Sequence, residues 1–194
     1  MGERRGRWLA LEDPGRRRAL KSFCAAALSP VAGCAGQMHV ERDAHPRPER
    51  AYLAGVYLVN NSDTPIIGEI QYAGVGTAES YSFRFRPTRY LQLQEVVPGS
   101  YRVGGWTMHG YSEAKQFELP GHAFSRVFRT AAGRVTFAGE YSLVLSSRRD
   151  AAGIYYGGRV EQERVDVRFH DREMMKGLFP NFAALPLVEA YGSQ

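Results

Sequence analysis

The chain has 194 residues, of which 44% are hydrophobic and 23% charged, so it is long and apolar enough to bury a core without staples. Its net charge of +5 is concentrated in residues 1–33, which hold seven basic and three acidic side chains, whereas residues 34–194 hold 18 and 17. A phosphate-binding face needs clustered Lys and Arg, so this distribution argues against nucleic acid as a partner.

An export signal is predicted at residues 1–33. The stretch 16–21 (RRRALK) is basic, and 22–33 (SFCAAALSPVAG) is uncharged, rich in Ala and too short to span a bilayer as a helix. The basic stretch also loosely resembles a twin-arginine signal, so the export route stays open. Residues 1–15 are long and partly acidic for the start of a signal, which we attribute to a start codon assigned too far upstream.

The predicted signal closes on residues 31–34 (VAGC), which resemble a lipobox. In that motif small residues precede a cysteine whose thiol is acylated before cleavage, so the resemblance implies a lipid on Cys34 that binds the membrane. Ala35, where an Asp would act as a retention signal, implies outer-membrane sorting, and we expect the domain to face the periplasm. The alternative is a short amphipathic N-terminal helix with a buried structural cysteine.

The rest of the chain is expected to consist of a tether and one domain. Residues 34–50, the lipidated cysteine and the polar stretch after it, contain Pro46 and Pro48 and show no apolar periodicity, which is typical of a tether. Residues 51–194 are then a β-sandwich domain with a short C-terminal helix. Both cysteines, Cys24 and Cys34, lie before this domain, so it has no cysteine for a zinc cluster or a thiol nucleophile.

From residue 51 onward, short apolar runs alternate with Gly, Pro, Asn and Asp. Within them Tyr81, Phe83 and Phe85 alternate with polar residues, the period of a half-buried strand. The pattern predicts a mainly β fold, an antiparallel β-sandwich of about eight or nine strands. The predicted strands are 51–59, 66–72, 80–85, 90–97, 101–103, 117–119, 123–129, 135–145 and 165–169. A helix is expected at 170–178, with Asp171 as its N-cap and Pro180 as its stop.

Two stretches resemble a known group of domains. Residues 97–103 (VPGSYRV) resemble the PG-x-Y hairpin of transthyretin-like and carboxypeptidase-regulatory-like β-sandwiches, and 132–140 (AGRVTFAGE) resemble a strand found with it in many bacterial lipoproteins. In those proteins a short helix follows and ends in an aromatic-Pro pair, as Phe179 and Pro180 do here. The resemblance covers about 51–182. It implies a sandwich in the cell envelope and brings no catalytic residues.

The five histidines do not form a metal-binding pattern. No two of them lie two or four residues apart, the spacings that present two imidazoles to one metal from a strand or a helix. His39 and His45 stand near acidic residues in the predicted tether and could trap a metal loosely, although solvated linker side chains explain them better. We therefore predict no metal, no cofactor and no catalytic residues, and we expect a protein that is not an enzyme.

The most distinctive stretch is 106–112 (WTMHGYS), read as a loop. Trp106, His109 and Tyr111 could stack on a sugar or a peptide if they were exposed at an edge of the sandwich. The alternative is that Trp106 and Tyr111 pack into the core. The sequence thus favours a lipid-anchored structural or interaction module whose partner is another envelope protein, with small-ligand or glycan binding as the second hypothesis.

Overall fold

The chain folds as a mainly β sandwich, which confirms the predicted fold class. The computed structural model describes residues 39–60, 67–109, 114–117, 126–150 and 153–192, with 114–117, 147–150 and 153–156 described by backbone alone. The strands are β1 (Ala51–Asn60), β2 (Ile67–Gly74), β3 (Ser80–Arg84), β4 (Leu91–Val96), β5 (Gly99–His109), β6 (Ala114–Phe117), β7 (Phe128–Thr130), β8 (Val135–Asp150), β9 (Gly153–Arg164) and β10 (Leu187–Glu189). The helix α1 spans Phe169–Leu178, and a 3-10 turn spans Pro180–Phe182.

In each sheet, the strand at one end of the row pairs with two different strands along its outer edge. The first sheet runs β4-β1-β8, with β10 and β9 pairing in turn along β8, and the second runs β3-β2-β5, with β7 and β6 pairing along β5. The second sheet is antiparallel, as expected. In the first sheet that expectation is wrong, because β8 is parallel to both β1 and β10. The chain reaches β8 from the second sheet beside the start of β1, where the Tyr52 N–H donates to the carbonyl of Arg134 at 3.0 Å.

The two stretches that carried the family resemblance are places where the chain changes sheets. The turn at Pro98 joins β4 of the first sheet to β5 of the second, so it is a corner between sheets and not a hairpin. The Tyr101 hydroxyl donates to the carbonyl of Val97 at 2.7 Å and closes this corner. The motif at 132–140 leads from β7 in the second sheet into β8 in the first.

The core between the sheets is rich in aromatic rings. Tyr57 of β1 stacks on Tyr141 of β8, with ring centroids 5.8 Å apart, and on Phe83 of β3 at 4.8 Å. Its hydroxyl hydrogen-bonds that of Tyr72 in β2 at 3.0 Å. Burial raises the pKa of Tyr57 and Tyr72 well above the ordinary value. Both hydroxyls therefore stay protonated and join the two sheets as neutral groups.

A third layer covers the outer face of the first sheet. Tyr52 and Val56 of β1 point into a second apolar cluster that includes Met175 of α1 and Phe182 of the 3-10 turn. The Tyr52 and Phe182 rings meet edge to face at 4.9 Å. Because both faces of β1 are covered, seven successive residues from Ala51 are buried, which explains an apolar run without alternation.

A bulge at Gly139 changes the face of the first sheet to which the side chains of β8 point, so that the two halves of the strand face different cores. The pairing of β8 with β1 slips by one residue there, and Gly139 has a φ of +123°. Val135 and Phe137, before the bulge, join the outer cluster under α1, whereas Tyr141 and Leu143, after it, join the core between the sheets. One strand therefore supplies both cores, although its apolar residues are spaced as if they shared a face.

A buried charge cluster joins α1 to the sheet. The Arg164 guanidinium donates to both carboxylate oxygens of Asp171, at 2.7 and 2.6 Å, and its Nε donates to Glu140 at 2.6 Å. Arg89 also contacts both carboxylates. Burial by itself would lower the pKa of Arg164, but the hydrogen bonds to Asp171 and Glu140 outweigh it and raise that pKa. The cluster pairs two cations with two anions, as buried charges require.

The C-terminal part departs from the prediction in three places. The predicted strand at 165–169 does not form, because Arg164 ends β9 and Phe169 already begins α1. The last short strand, β10, was not predicted. Asp171 is also not the N-cap: it is the third residue of α1 and accepts a hydrogen bond from the Arg168 N–H at 2.8 Å, while it binds Arg164.

We predict that Gly139→Ala lowers the free energy of unfolding by about 2 kcal/mol or more, because a side chain strains this backbone conformation. An added Cβ would also lie 2.6 Å from the carbonyl oxygen of Arg164. Urea unfolding measures the change. Gly177→Ala is the matched control, since a Cβ there meets nothing within 4 Å. It should leave stability unchanged or raise it slightly. Equal effects of the two changes would contradict the role of the bulge.

We predict that Asp171→Asn lowers the free energy of unfolding by about 3 kcal/mol, because it leaves the buried Arg164 without its bidentate partner. The substitution keeps the size of the side chain, so the loss of stability results from the removed charge and not from a change in side-chain volume. Glu173→Gln, on the same helix and exposed, is the control and should change stability by under about 0.5 kcal/mol. A loss for Asp171→Asn no larger than that of the control would be inconsistent with a cluster that holds α1.

Candidate functional site

The polar stretch predicted as a tether is bound to the domain at residues 39–50. His39 forms an isolated antiparallel bridge with Gln94 of β4, and the Val40 N–H donates to the Leu93 carbonyl at 3.1 Å. These contacts cover part of the outer edge of β4, whose unpaired backbone groups would otherwise face water.

Two further attachments hold this stretch over the outer face of the first sheet. The Asn181 side-chain amide donates to the carbonyls of Asp43 and Ala44, at 3.2 and 3.1 Å. The Arg47 N–H donates to the Tyr52 hydroxyl at 2.6 Å. The tether prediction is therefore wrong for residues 39–50. This polar stretch makes specific contacts with the domain that its composition does not predict.

An open cleft of about 520 Å³ lies along this segment, within the size range of small-ligand sites. It is the best candidate for a binding site in the described part of the chain. Three of its lining side chains are apolar and five are polar or charged: Val40, Ala44 and Phe182, and His39, Glu41, His45, Arg47 and Glu95.

Glu95 anchors one end of the cleft. Its carboxylate lies 3.5 Å from Nε of Arg47 and 3.2 Å from Nε of Arg50, and its side chain is only 14% exposed. Two guanidiniums therefore neutralise a carboxylate that is largely withdrawn from water, so this end of the cleft is already satisfied. Exposed side chains available to a ligand lie towards Glu41 and His39.

His39 also lines the cleft and lies beside β4 of the first sheet and β3 of the second. Its ring meets that of Phe83 edge to face, with centroids 6.4 Å apart. Burial lowers the pKa of His39, and the nearby guanidiniums of Arg86 and Arg84 lower it further, while Glu69 acts in the opposite direction. The imidazole is therefore neutral at pH 7, and its protonation would place a third cation beside two arginines.

Among the ligand-binding residues predicted from the sequence, Trp106 does not lie on the surface. Trp106 is 3% exposed and belongs to the core between the sheets, where its ring lies 3.0 Å from the position of a Cβ on Gly158. The stretch read as a loop is part of β5 as far as His109. The packing alternative thus holds for Trp106. Tyr111 and the lipidation site Cys34 lie outside the described residues.

His109 is the last residue of β5 in the second sheet and does not line the cleft. Its Nε2 is 3.9 Å from a carboxylate oxygen of Glu69, which also accepts hydrogen bonds from Arg84 at 3.1 Å and Ser82 at 3.4 Å. The imidazole is 40% exposed, and the pair lines neither cavity that the structure describes. The arrangement is a cross-strand network on a solvated surface.

Within the described ranges, no three His, Cys, Asp or Glu side chains come together in a way that could hold a metal ion. His39 and His45 line the same cleft, with Glu41 between them in sequence, but they do not form such a group. Among those same residues, no helix has the length and apolar character that crossing a membrane requires.

Sequence reasoning missed the cleft because its walls come from distant parts of the chain. Phe182 and Glu95 lie far from residues 39–47 in sequence, and only the third layer brings them together. The one available signal was the apolar pair Val40 and Ala44 within an otherwise polar stretch. Four residues apart, the two side chains pack in the same cluster.

Comparisons with known proteins do not assign a family. No protein-family model matches the chain, and no curated protein resembles it in sequence. A putative cell adhesion protein from Bacteroides uniformis aligns in structure with 10% sequence identity over 59% of this chain and 50% of its own, at a TM-score of 0.21. The aligned region thus spans half of that protein, and a TM-score of this size is below the level at which two chains share a fold.

We predict that His39 makes the attachment of this segment sensitive to acid. Because the pKa of His39 is lowered from 6.5 in the folded chain, its contribution to stability is complete above pH 6.5 and is lost as the pH falls towards the lowered pKa. Between pH 7.5 and 5.5, wild type should lose more stability in urea than His39→Gln, by under about 1 kcal/mol since the ring is exposed. The other histidines are present in both proteins, so equal losses would contradict the prediction.

Proposed function

We propose that this chain is a lipid-anchored binding module of the bacterial cell envelope and that it is not an enzyme. The proposal joins the lipobox-like sequence ending at Cys34 to one observation on the domain. That observation is the attachment of residues 39–50, which binds His39 to the domain only five positions after Cys34.

This short interval has a consequence for the anchored protein. Five residues span at most about 18 Å when fully extended, so a lipid on Cys34 would keep the edge of β4 close to the bilayer. A module held in this way meets partners that share its membrane. We therefore propose another envelope protein as the partner and the periplasmic face of the outer membrane as the location.

The cleft along residues 39–47 supports binding as the activity of the domain. It combines the apolar surface of Phe182 and Val40 with polar groups of both charges, the mixture that orients a ligand in small-molecule and peptide sites. In the small-ligand alternative, this cleft replaces the predicted site at Trp106. Glu69 and His109 do not line the cleft, and the activity proposed for the cleft is ligand binding alone.

The anchor is tested by Cys34→Ala in the full chain, expressed in a Gram-negative bacterium. We expect wild type to fractionate with membranes and to be labelled by a palmitate analogue, and the variant to lose both properties. Cys24→Ala is the matched control, because Cys24 lies within the predicted signal, and it should behave as wild type. Continued labelling of Cys34→Ala, or unlabelled wild type, would refute the lipid anchor.

A further inference from the structure

The exposed face of α1 carries an aromatic ring that is largely open to solvent. Phe169 is 78% exposed, the highest value among the large hydrophobic side chains described, which otherwise reach 53% at Val127. Arg172 and Lys176 share this face at helical spacing and are also exposed. Glu173 lies beside them and pairs with Lys176 at 2.7 Å, which leaves Arg172 as the less compensated charge.

The helix α1 belongs to the third layer, which also contains the attached segment that follows the proposed anchor site. The helix packs against β4, and Met175 shares an apolar cluster with Leu93 of β4 and Val40 of the attached segment. His39 pairs with the outer edge of the same strand. A membrane anchored through Cys34 would therefore come within about 18 Å of the edge beside α1.

An aromatic side chain flanked by cations is suited to a lipid surface. The ring can enter the boundary between headgroups and acyl chains while Arg and Lys remain with the headgroup phosphates. The charge cluster around Asp171 fixes α1 to the sheet from its buried side, so the exposed ring is held on a rigid support.

We infer that the face of α1 formed by Phe169, Arg172 and Lys176 rests on the membrane that holds the lipid anchor, with anionic headgroups as its ligand. The inference rests on the proposed function, because without the anchor nothing brings this face to a bilayer. Acyl chains on Cys34 hold the protein on the bilayer without orienting the domain, so a second contact with the bilayer fixes that orientation. The cleft and the second sheet would then be oriented by the same contact.

The test places a fluorescent label on the full lipidated protein. The mature chain has no free thiol once Cys34 is acylated and Cys24 is removed with the signal, so Phe169→Cys offers one labelling position. Val75→Cys, on an exposed valine at the start of the turn between β2 and β3, is the matched control. Both proteins are labelled with an environment-sensitive probe and reconstituted in vesicles that contain anionic lipid and headgroup-level nitroxide lipid.

We expect the probe at residue 169 to be quenched at least threefold more than the probe at residue 75, and Arg172→Glu with Lys176→Glu to remove most of that difference. Flotation of the same vesicles reports the anchor separately. Equal quenching in protein that floats would overturn the membrane-facing helix and leave the anchor standing. Unchanged quenching in the double variant would overturn the role of anionic headgroups. Protein that does not float would overturn the proposed anchor and this inference together.

Discussion

The bidentate pair between Arg164 and Asp171 is the interaction on which the third layer of the molecule depends. It fixes the start of α1 to the end of β9. Arg164 also binds a second carboxylate, that of Glu140, which lies in β8 directly after the bulge at Gly139. The same bulge sends Phe137 under the helix and brings Tyr141 into the inner core. The charge cluster and the bulge at Gly139 therefore both determine how α1 sits on the first sheet, and a change in either would move the helix relative to the sheet.

The third layer also gives the domain its candidate functional surfaces. Once α1 and the 3-10 turn cover the outer face of β1, Asn181 and Phe182 can hold the segment before the sandwich and form the cleft with it. The exposed side of the helix remains free to meet a second surface. A sandwich of two sheets alone would leave the outer face of the first sheet open to water and would lack Phe182 in the cleft and the hydrogen bonds from Asn181 to the docked segment.

Much of the sandwich follows from local patterns. The alternation of Tyr81, Phe83 and Phe85 predicted their burial correctly, since the period of a strand puts alternate side chains on one face. The turn at Pro98 was visible in the sequence as a Pro-Gly pair. The direction of β8 was not, because parallel pairing with β1 depends on where the chain crosses between sheets. The ligand-site hypothesis at Trp106 also depended on exposure, and a buried and an exposed tryptophan have the same local sequence.

The sequence by itself determined the class of fold and the spacing of its strands, and it contains the lipobox-like motif at Cys34 from which the anchor is predicted. All three are local signals, carried by residues within a few positions of one another. Only the tertiary structure decided which apolar face of β8 meets which core, that residues 39–50 belong to the body, and that Asp171 binds Arg164. Each of these depends on contacts between distant segments, and those contacts exist only after the layers have packed.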